Sequence, residues 1–387
     1  MATTEQTIKT AGEAPGTPRL KFVFLSYCAS PHQVRLYGHL QRFFETEFWF
    51  YEHIPETRPG WWRIPLPDGC TVFDKVWFKK QARYVVPGLT RRLRQANPDV
   101  LMIGGFFLPS NYLAYRWAKR NSKRVIISTE SFRTKSGLRG LSPLTRVVDY
   151  VYREVDAVLA HNEAAADQMR RVLPHLGSRT HFAQYPADID GYFDHSERTP
   201  RSGYVYLFAN RLIPEYNPLL AIEIFADIAR RYPTSRLRLN RQGPLYPECV
   251  AAVERHGLAC SVEFLADIRA WDEMPLVYRD ADILLLPATF SNGNYTVLEA
   301  MASGMGIVVS DRVLWPTPLI RSGENGYVCE PEKGPFLSAV QAYIDHPEQF
   351  GCHARINREI ARPLSCEGTA RLYAKLVREI SGQPVRL

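Results

Sequence analysis

Short apolar runs alternate along the chain with longer segments whose apolar residues recur at helical spacing. In the segment 217–231, Leu220, Ile224 and Ile228 lie four residues apart, as on one face of a helix. The apolar runs form two series, at 21–27, 99–103, 124–128 and 156–161, then at 203–209, 236–240, 262–265, 282–287 and 306–310. This alternation predicts an α/β fold in which parallel strands carry helices on both faces.

A polar, turn-rich stretch at 194–202 (DHSERTPRS) separates the two series. We therefore predict two Rossmann-like domains, at 21–195 and 203–364, preceded by a disordered leader at 1–20 and followed by a terminal segment at 365–387. Two such domains face each other across a cleft, and ligands of doubly wound folds bind outside the carboxyl ends of the strands.

Composition and charge narrow the function classes. The chain has no apolar run of 18 residues, no secretory signal at its start, and seven scattered cysteines without zinc spacing. These features predict a cytoplasmic protein. Residues 21–195 hold 25 Lys and Arg against 16 Asp and Glu, whereas the whole chain carries a net charge of +8. A basic N-terminal half suggests an anionic partner, and charge alone leaves nucleic acid, acidic glycan and membrane open.

The segment 289–311 (TFSNGNYTVLEAMASGMGIVVSD) carries the chemistry. A strand leads into a loop containing Ser291 and Gly293, and a helix starts near Tyr295. We expect the amides of Asn294, Tyr295 and Thr296 to be free at the helix N-terminus and to bind a phosphate. Glu299, one turn further along, offers a carboxylate that two ribose hydroxyls could donate to.

This segment resembles the donor-binding signature of the large retaining GT-B glycosyltransferase family that contains bacterial mannosyltransferases and sucrose synthase (glycosyltransferase family 4 type). LEAMASGMGIVV matches the family pattern LEAMAxGxPVV almost letter for letter. The stretches at 209–237, 277–290 and 321–331 also look like family segments. Residues 365–380 look like the terminal helix that crosses back onto the N-terminal domain.

The resemblance implies a metal-independent glycosyltransferase without a cofactor, whose co-substrate is a nucleoside-diphosphate sugar. It assigns Glu299 to the donor ribose and Asn294, Tyr295 and Thr296, in the loop with Gly293, to the diphosphate. Arg211 falls on the arginine that neutralises the leaving phosphate. Positioned cations and amides can stabilise that developing charge without a metal.

Several positions depart from the family pattern. Ser291 replaces the first glutamate of the signature, and Tyr216 replaces the lysine that follows Arg211. Arg241, at the end of a strand, is a candidate to restore the lost charge. The loop after the first strand, at 27–32, reads YCASPH instead of a glycine-rich sequence. Glu130 is the acid expected to face the cleft beside the sugar or acceptor; otherwise it is a helix N-terminal carboxylate.

Two DxD sequences, at 188–190 and 280–282, resemble the metal motif of a different glycosyltransferase fold, and we predict that neither binds a metal. Residues 75–94, from Lys75 to Arg94, contain seven basic residues, no acidic ones and interleaved aromatics. This composition favours an anionic membrane surface over nucleic acid, the alternative being a solvated face of an amphipathic helix.

The leading hypothesis is transfer of a sugar to a glycan or lipid-linked glycan, in the cytoplasm or at the inner membrane face. Two other hypotheses stay open. The losses at Ser291 and Tyr216 are compatible with a catalytically degenerate binding protein that kept the fold. The basic N-terminal half is compatible with a nucleic-acid-binding protein.

Overall fold

The computed structural model describes residues 19–56, 58, 60–78, 84–106, 108–129, 143–161, 163–193, 203–265, 270–291 and 293–383. Within these ranges the chain forms two parallel sheets, each flanked by helices and each built around its own apolar core. The two-domain α/β architecture predicted from the sequence is confirmed.

The N-terminal sheet has the strand order β3-β2-β1-β4-β5-β6-β7, with every pair parallel. Its strands are β1 Lys21–Cys28, β2 Glu45–Glu52, β3 Cys70–Val72, β4 Val100–Gly104, β5 Arg124–Thr129, β6 Ala157–Ala160 and β7 Thr180–Phe182. Its helices are α1 Pro31–Leu40, α2 Leu89–Ala96, α3 Pro109–Arg120, α4 Pro143–Val151 and α5 Glu163–Val172.

The C-terminal sheet has the strand order β10-β9-β8-β11-β12-β13, again parallel. Its strands are β8 Val205–Phe208, β9 Arg236–Leu239, β10 Val262–Phe264, β11 Ile283–Leu286, β12 Gly306–Ser310 and β13 Tyr327–Cys329. Its helices are α6 Pro218–Arg231, α7 Tyr246–Arg255, α8 Met274–Arg279, α9 Tyr295–Ala302, α10 Lys333–Asp345 and α11 Gln349–Ala361.

The central strands are fully buried, which is why they read as continuous apolar runs. All four residues of β11, for example, have no exposed surface, because helices cover both faces of the sheet. In each sheet the strand order reverses beside the first strand, between β1 and β4 and between β8 and β11. These switch points open crevices at the carboxyl ends of the strands, where ligands bind in such folds.

The chain crosses between the domains twice, at neighbouring places. Ala187, Ile189 and Tyr192, which the sequence analysis assigned to the N-terminal domain, pack in the C-terminal core, so the first crossing starts before the predicted boundary. The polar stretch at 194–202 lies outside the described residues. The return crossing bridges Ser365 to Ala187.

After the return crossing, the terminal helix α12 (Cys366–Ser381) packs against α1 of the N-terminal domain. Its buried face places Ala370, Tyr373 and Val377 in the same apolar cluster as Phe22 and Leu36. The C-terminal end of the described chain therefore completes the N-terminal core.

Candidate active site

A cavity of about 720 Å³ lies between the two domains, at the carboxyl ends of both sets of strands. The N-terminal domain contributes Ser26, His32, Gly104, Ser128 and His161 to its lining. The C-terminal domain contributes Arg211, Tyr216, Asn240, Ser291, Gly293, Asn294, Tyr295, Thr296 and Glu299. The cleft predicted from the alternating pattern is thus present, and it brings together the residues chosen at 211 and 291–299.

The N-terminus of α9 differs from the arrangement predicted from the sequence. Asn294 is its N-cap residue, and its side-chain oxygen accepts the amide of Thr296 at 3.1 Å. The amide of Asn294 itself donates to the carbonyl of Trp315 at 3.0 Å. The prediction that these two amides are free is therefore wrong, because a capping side chain and a neighbouring loop already accept them.

A different donor is available at this helix end. The side-chain nitrogen of Asn294 is buried and has no hydrogen-bond partner among the described residues. The oxygen of the same amide accepts from Asn210 at 3.3 Å, and the Thr296 hydroxyl donates to the Asn210 oxygen at 2.9 Å. The loop after β8, which carries Arg211, is thereby tied to the start of α9.

The two arginines expected at the diphosphate lie in different places. Arg211 is half-buried and lines the cavity, as does Tyr216. Arg241 is exposed, its guanidinium lies 5.7 Å from the ring centre of Tyr246, and it does not contribute to the cavity lining. The structure therefore places Arg211, and not Arg241, at the cleft.

Glu299 is buried at the cavity wall. Its carboxylate accepts a hydrogen bond from the hydroxyl of Tyr278, and the hydroxyl of Tyr192 lies beside it. Burial raises the pKa of Glu299 from 4.5 to about 7, although the two tyrosines act in the opposite direction. A carboxylate has about four acceptor sites, so one tyrosine hydrogen bond leaves others for ligand hydroxyls.

Ser291 and Gly293 shape the loop before α9. The Ser291 hydroxyl donates to the carbonyl of Gly293 at 3.0 Å, so this side chain supports the loop instead of reaching across the cavity. A Cβ atom at position 293 would lie 2.7 Å from the ring of Tyr185. Glycine at this position lets the loop approach the N-terminal domain closely.

His32, at the start of α1, is a cavity residue that the sequence analysis did not select. Its ring stacks on Tyr295 across the cleft, with centroids 3.8 Å apart and planes 16° apart. Its Nδ1 accepts the backbone amide of Asp188 at 3.0 Å. Burial, and the nearby positive charge of Arg58, lower the pKa of His32 to about 3, so the ring is neutral with its proton on Nε2.

A hydrogen-bonded pair, Ser128 and His161, is the second feature that the sequence analysis missed. Ser128 Oγ lies 2.6 Å from His161 Nε2, and His161 Nδ1 lies 2.8 Å from the carbonyl oxygen of Ala183. Both side chains are buried and line the cavity. Burial lowers the pKa of His161 to about 4. One signal was available, since both residues end strands predicted from their apolar runs.

The remaining sequence-based candidates fall partly outside the structure. Glu130 lies outside the described residues, as do Lys79, Lys80 and Arg83 of the basic stretch at 75–94. In the described part of that stretch, Tyr84, Val86 and Leu89 are buried in the N-terminal core, whereas Trp77 and Phe78 are 58% and 59% exposed. Of the buried residues only Leu89 lies in a helix, so the amphipathic-helix alternative applies to α2 (Leu89–Ala96) and not to Tyr84 and Val86. Trp77 and Phe78 form an exposed apolar tip.

The structure also bears on the two DxD sequences. Asp188 pairs with Arg35 at 3.2 Å and accepts from the indole of Trp271 at 2.8 Å. Asp282 accepts the backbone amide of Val205 at 2.8 Å. Among the described residues, no three His, Cys, Asp or Glu side chains are grouped so that they could hold a metal ion. Metal independence itself stays a prediction.

Two Rossmann-like domains that face a cleft, joined by a helix that returns to the first domain, define the GT-B fold. Residues 193–348 match the family model of the glycosyl transferases group 1. Among solved structures, a HepE protein of Anabaena in complex with UDP superimposes with a TM-score of 0.69 at 16% identity, over 93% of this chain and 100% of that one. Sucrose-phosphate synthase from Thermosynechococcus elongatus gives 0.69 at 14% identity, over 94% and 100%.

The curated relatives found by sequence align with a smaller share of this chain than the solved structures do. An alpha-D-kanosaminyltransferase of Streptomyces kanamyceticus is 25% identical over 51% of this chain and 54% of its own length. A D-inositol 3-phosphate glycosyltransferase of Corynebacterium urealyticum is 24% identical over 51% and 50%. The chain thus spans about half the length of these curated relatives. Among the described residues, no helix combines the length and the apolar character needed to cross a bilayer.

Proposed function

We propose that this protein is a glycosyltransferase that moves a sugar from a nucleoside-diphosphate sugar to a glycan or lipid-linked glycan, with retention and without a metal ion. The observation that carries the proposal is the interdomain cavity of about 720 Å³, lined by Arg211, the loop before α9 and Glu299. The match of residues 193–348 to the glycosyl transferases group 1 supports the same activity.

The C-terminal wall of the cavity suits the donor. As the sugar leaves, negative charge develops on the diphosphate, and a cation fixed beside it lowers the energy of that state. Arg211 supplies the cation, and the amide nitrogen of Asn294, which has no partner in the described part of the chain, supplies a hydrogen-bond donor at the positive end of α9. The carboxylate of Glu299 is placed to accept from ribose hydroxyls on the same wall.

The diphosphate assignment is tested by titrating wild type with UDP-, GDP-, ADP- and dTDP-sugars in a calorimeter. The Arg211→Ala variant should lose affinity for the nucleotide sugar that binds wild type. Arg241→Ala is the matched control, because Arg241 follows the neighbouring strand but lies outside the cavity lining. Wild-type affinity in both variants would remove Arg211 from the site.

Retention is tested separately, by recording the anomeric configuration of the product with NMR. Its support is the likeness of residues 289–311 to a retaining family. A product with inverted configuration would contradict this part of the proposal and leave sugar transfer intact.

We further propose that the protein docks on an anionic membrane surface through the tip formed by Trp77 and Phe78. Both rings are more than half exposed, and Lys75 beside them is exposed as well. Helix α3 begins close by, since the amide of Val86 donates to Ser110 Oγ at 2.8 Å, and it exposes Tyr112 and Leu113. Apolar side chains flanked by basic ones suit an interface of acyl chains and anionic head groups.

A further inference from the structure

The contacts of His161 determine which partner donates in the hydrogen bond between Ser128 and His161. A backbone carbonyl can only accept a hydrogen bond, so the 2.8 Å contact to Ala183 requires the proton of His161 on Nδ1. The ring is neutral because burial lowers the pKa of His161 to about 4. Its Nε2 therefore carries a lone pair, and the hydroxyl of Ser128 must donate to it across 2.6 Å.

The consequence for the cavity concerns Ser128 Oγ. With its only proton directed at His161, this oxygen can offer nothing but lone pairs to a ligand. The ring of Tyr185 stacks on His161, with centroids 4.6 Å apart and planes 23° apart, and holds the imidazole in place. The amide of Gly105 donates to the Ser128 carbonyl at 2.7 Å, which fixes the strand end beside the cavity.

We infer that Ser128 is a ligand-contacting residue whose Oγ accepts a hydrogen bond from a hydroxyl of the carbohydrate ligand, and that His161 is the positioning residue that fixes this polarity. The inference rests on the proposed sugar transfer. A hydroxyl in this cleft belongs either to the donor sugar or to the attacking acceptor. In both cases it must donate a proton, and Ser128 Oγ is built only to accept one.

Calorimetry distinguishes the two sources. Wild type, Ser128→Ala and Ser128→Thr are titrated with UDP and UDP-glucose, and with GDP and GDP-mannose, the bare nucleotides serving as matched ligands without the sugar. If Ser128 contacts the donor sugar, Ser128→Ala should lower the affinity for the sugar nucleotide about tenfold, as the loss of one hydrogen bond predicts. The affinity for the bare nucleotide should not change. Ser128→Thr, which keeps the hydroxyl, should restore the affinity.

The second arm follows hydrolysis of the same sugar nucleotide, in which water takes the place of the acceptor. If Ser128 meets the attacking hydroxyl, Ser128→Ala lowers the hydrolysis rate at saturating donor about tenfold, while donor affinity stays at the wild-type value. His161→Phe keeps a ring against Tyr185 but removes the Nε2 lone pair. Whichever quantity Ser128→Ala lowers, donor affinity or hydrolysis rate, should therefore also fall in His161→Phe, although Ser128 is still present in that variant.

Three results would overturn these assignments. Unchanged affinity and unchanged hydrolysis in a Ser128→Ala protein of wild-type melting temperature would refute the contact and leave sugar transfer standing. A normal His161→Phe beside an impaired Ser128→Ala would remove His161 from its positioning role. A wild-type protein that binds none of the UDP-, GDP-, ADP- and dTDP-sugars would refute the proposed function and this inference together.

Discussion

The imidazole of His32 lies flat against the phenol ring of Tyr295, with 3.8 Å between ring centres. The two residues belong to opposite domains, at the N-terminal ends of α1 and α9. Both residues line the interdomain cavity, and Trp271 packs edge-on against His32 with ring centres 4.8 Å apart. The ring pair therefore couples the N-terminal domain to the helix that we assign to the donor diphosphate.

Removing this contact should affect donor binding through the arrangement of the domains. We expect Tyr295→Ala to weaken binding of the nucleotide sugar, because an aromatic pair typically contributes about 0.5–1.5 kcal/mol beyond its buried area. Tyr295→Phe keeps the ring and should bind as wild type does. Calorimetry with the donor measures both variants, and a Tyr295→Phe loss equal to that of Tyr295→Ala would show that the hydroxyl, not the stacking, matters.

Glu299 makes stability depend on pH. The unfolded chain releases this proton near pH 4.5, whereas the folded protein holds it to about pH 7. Between these values the folded state binds more protons, so this group lowers the free energy of unfolding as pH rises, by at most about 1.4 kcal/mol per pH unit. Glu299→Gln should remove that slope, as measured by urea unfolding at several pH values.

The comparison must be made as a difference between variant and wild type. His161, whose pKa burial lowers to about 4, acts in the opposite sense, since the unfolded chain takes up its proton near pH 6.5. Its contribution raises stability with pH and cancels in the difference. A Glu299→Gln profile parallel to that of wild type would place the Glu299 pKa near its ordinary value.

Donor affinity should follow the same ionisation. The charged carboxylate accepts ribose hydroxyls more strongly than the neutral acid, so affinity should increase as pH rises through about 7. Glu299→Gln should bind the donor more weakly, by about 1.5–3 kcal/mol, and lose this pH dependence. Wild-type affinity in that variant would exclude Glu299 from the donor site.

Activity should persist in EDTA, because Arg211 and hydrogen-bond donors are expected to stabilise the leaving group. The measurement is nucleotide release from the donor, with and without chelator, and with added Mg²⁺ or Mn²⁺. Loss of activity on chelation, restored by Mn²⁺, would contradict the metal-free mechanism.

Vesicle binding should require both anionic lipid and the exposed tip. The double variant Trp77→Ala, Phe78→Ala should sediment less with vesicles of phosphatidylglycerol and phosphatidylcholine, and donor affinity should not change because neither residue lines the cavity proposed for the donor. Leu276→Ala is a control, since Leu276 is 47% exposed on the C-terminal domain.

Replacement of Lys79, Lys80 and Arg83 should also weaken vesicle binding, and high salt should weaken binding of the wild type because it screens the attraction to anionic lipid. Cosedimentation insensitive to both salt and these variants would refute the proposal.

Local patterns predicted the architecture well for identifiable physical reasons. Buried parallel strands are apolar on both faces, so β8, β11 and β12 were visible as continuous runs. The start of α9 followed from a polar loop before a helical pattern. By contrast, the first interdomain crossing was placed too late, since Ile189 and Tyr192 are buried by a domain that begins later in the chain.

The site was less predictable because its details depend on contacts distant in sequence. The carbonyl of Trp315 accepts the Asn294 amide, and the hydroxyl of Tyr278 donates to the carboxylate of Glu299. Nothing in the local sequence around 294 or 299 indicates either partner. His32 and His161 are single histidines without a spacing motif, and only the fold brings them to one cavity. Arg241 follows a strand as expected, yet its side chain turns to Tyr246.

The adjacent crossings at Ala187 and Ser365 have a mechanical consequence. The two connections lie side by side, and the Cys366 amide donates to the Ala187 carbonyl at 2.8 Å, so the domains are linked at a single place. We expect the domains to rotate about this point more easily than to separate, because α12 is packed in the N-terminal core. Truncation before Cys366 would therefore destabilise the domain that lies farthest from it in sequence, so the N-terminal half of the cleft is not a module independent of α12.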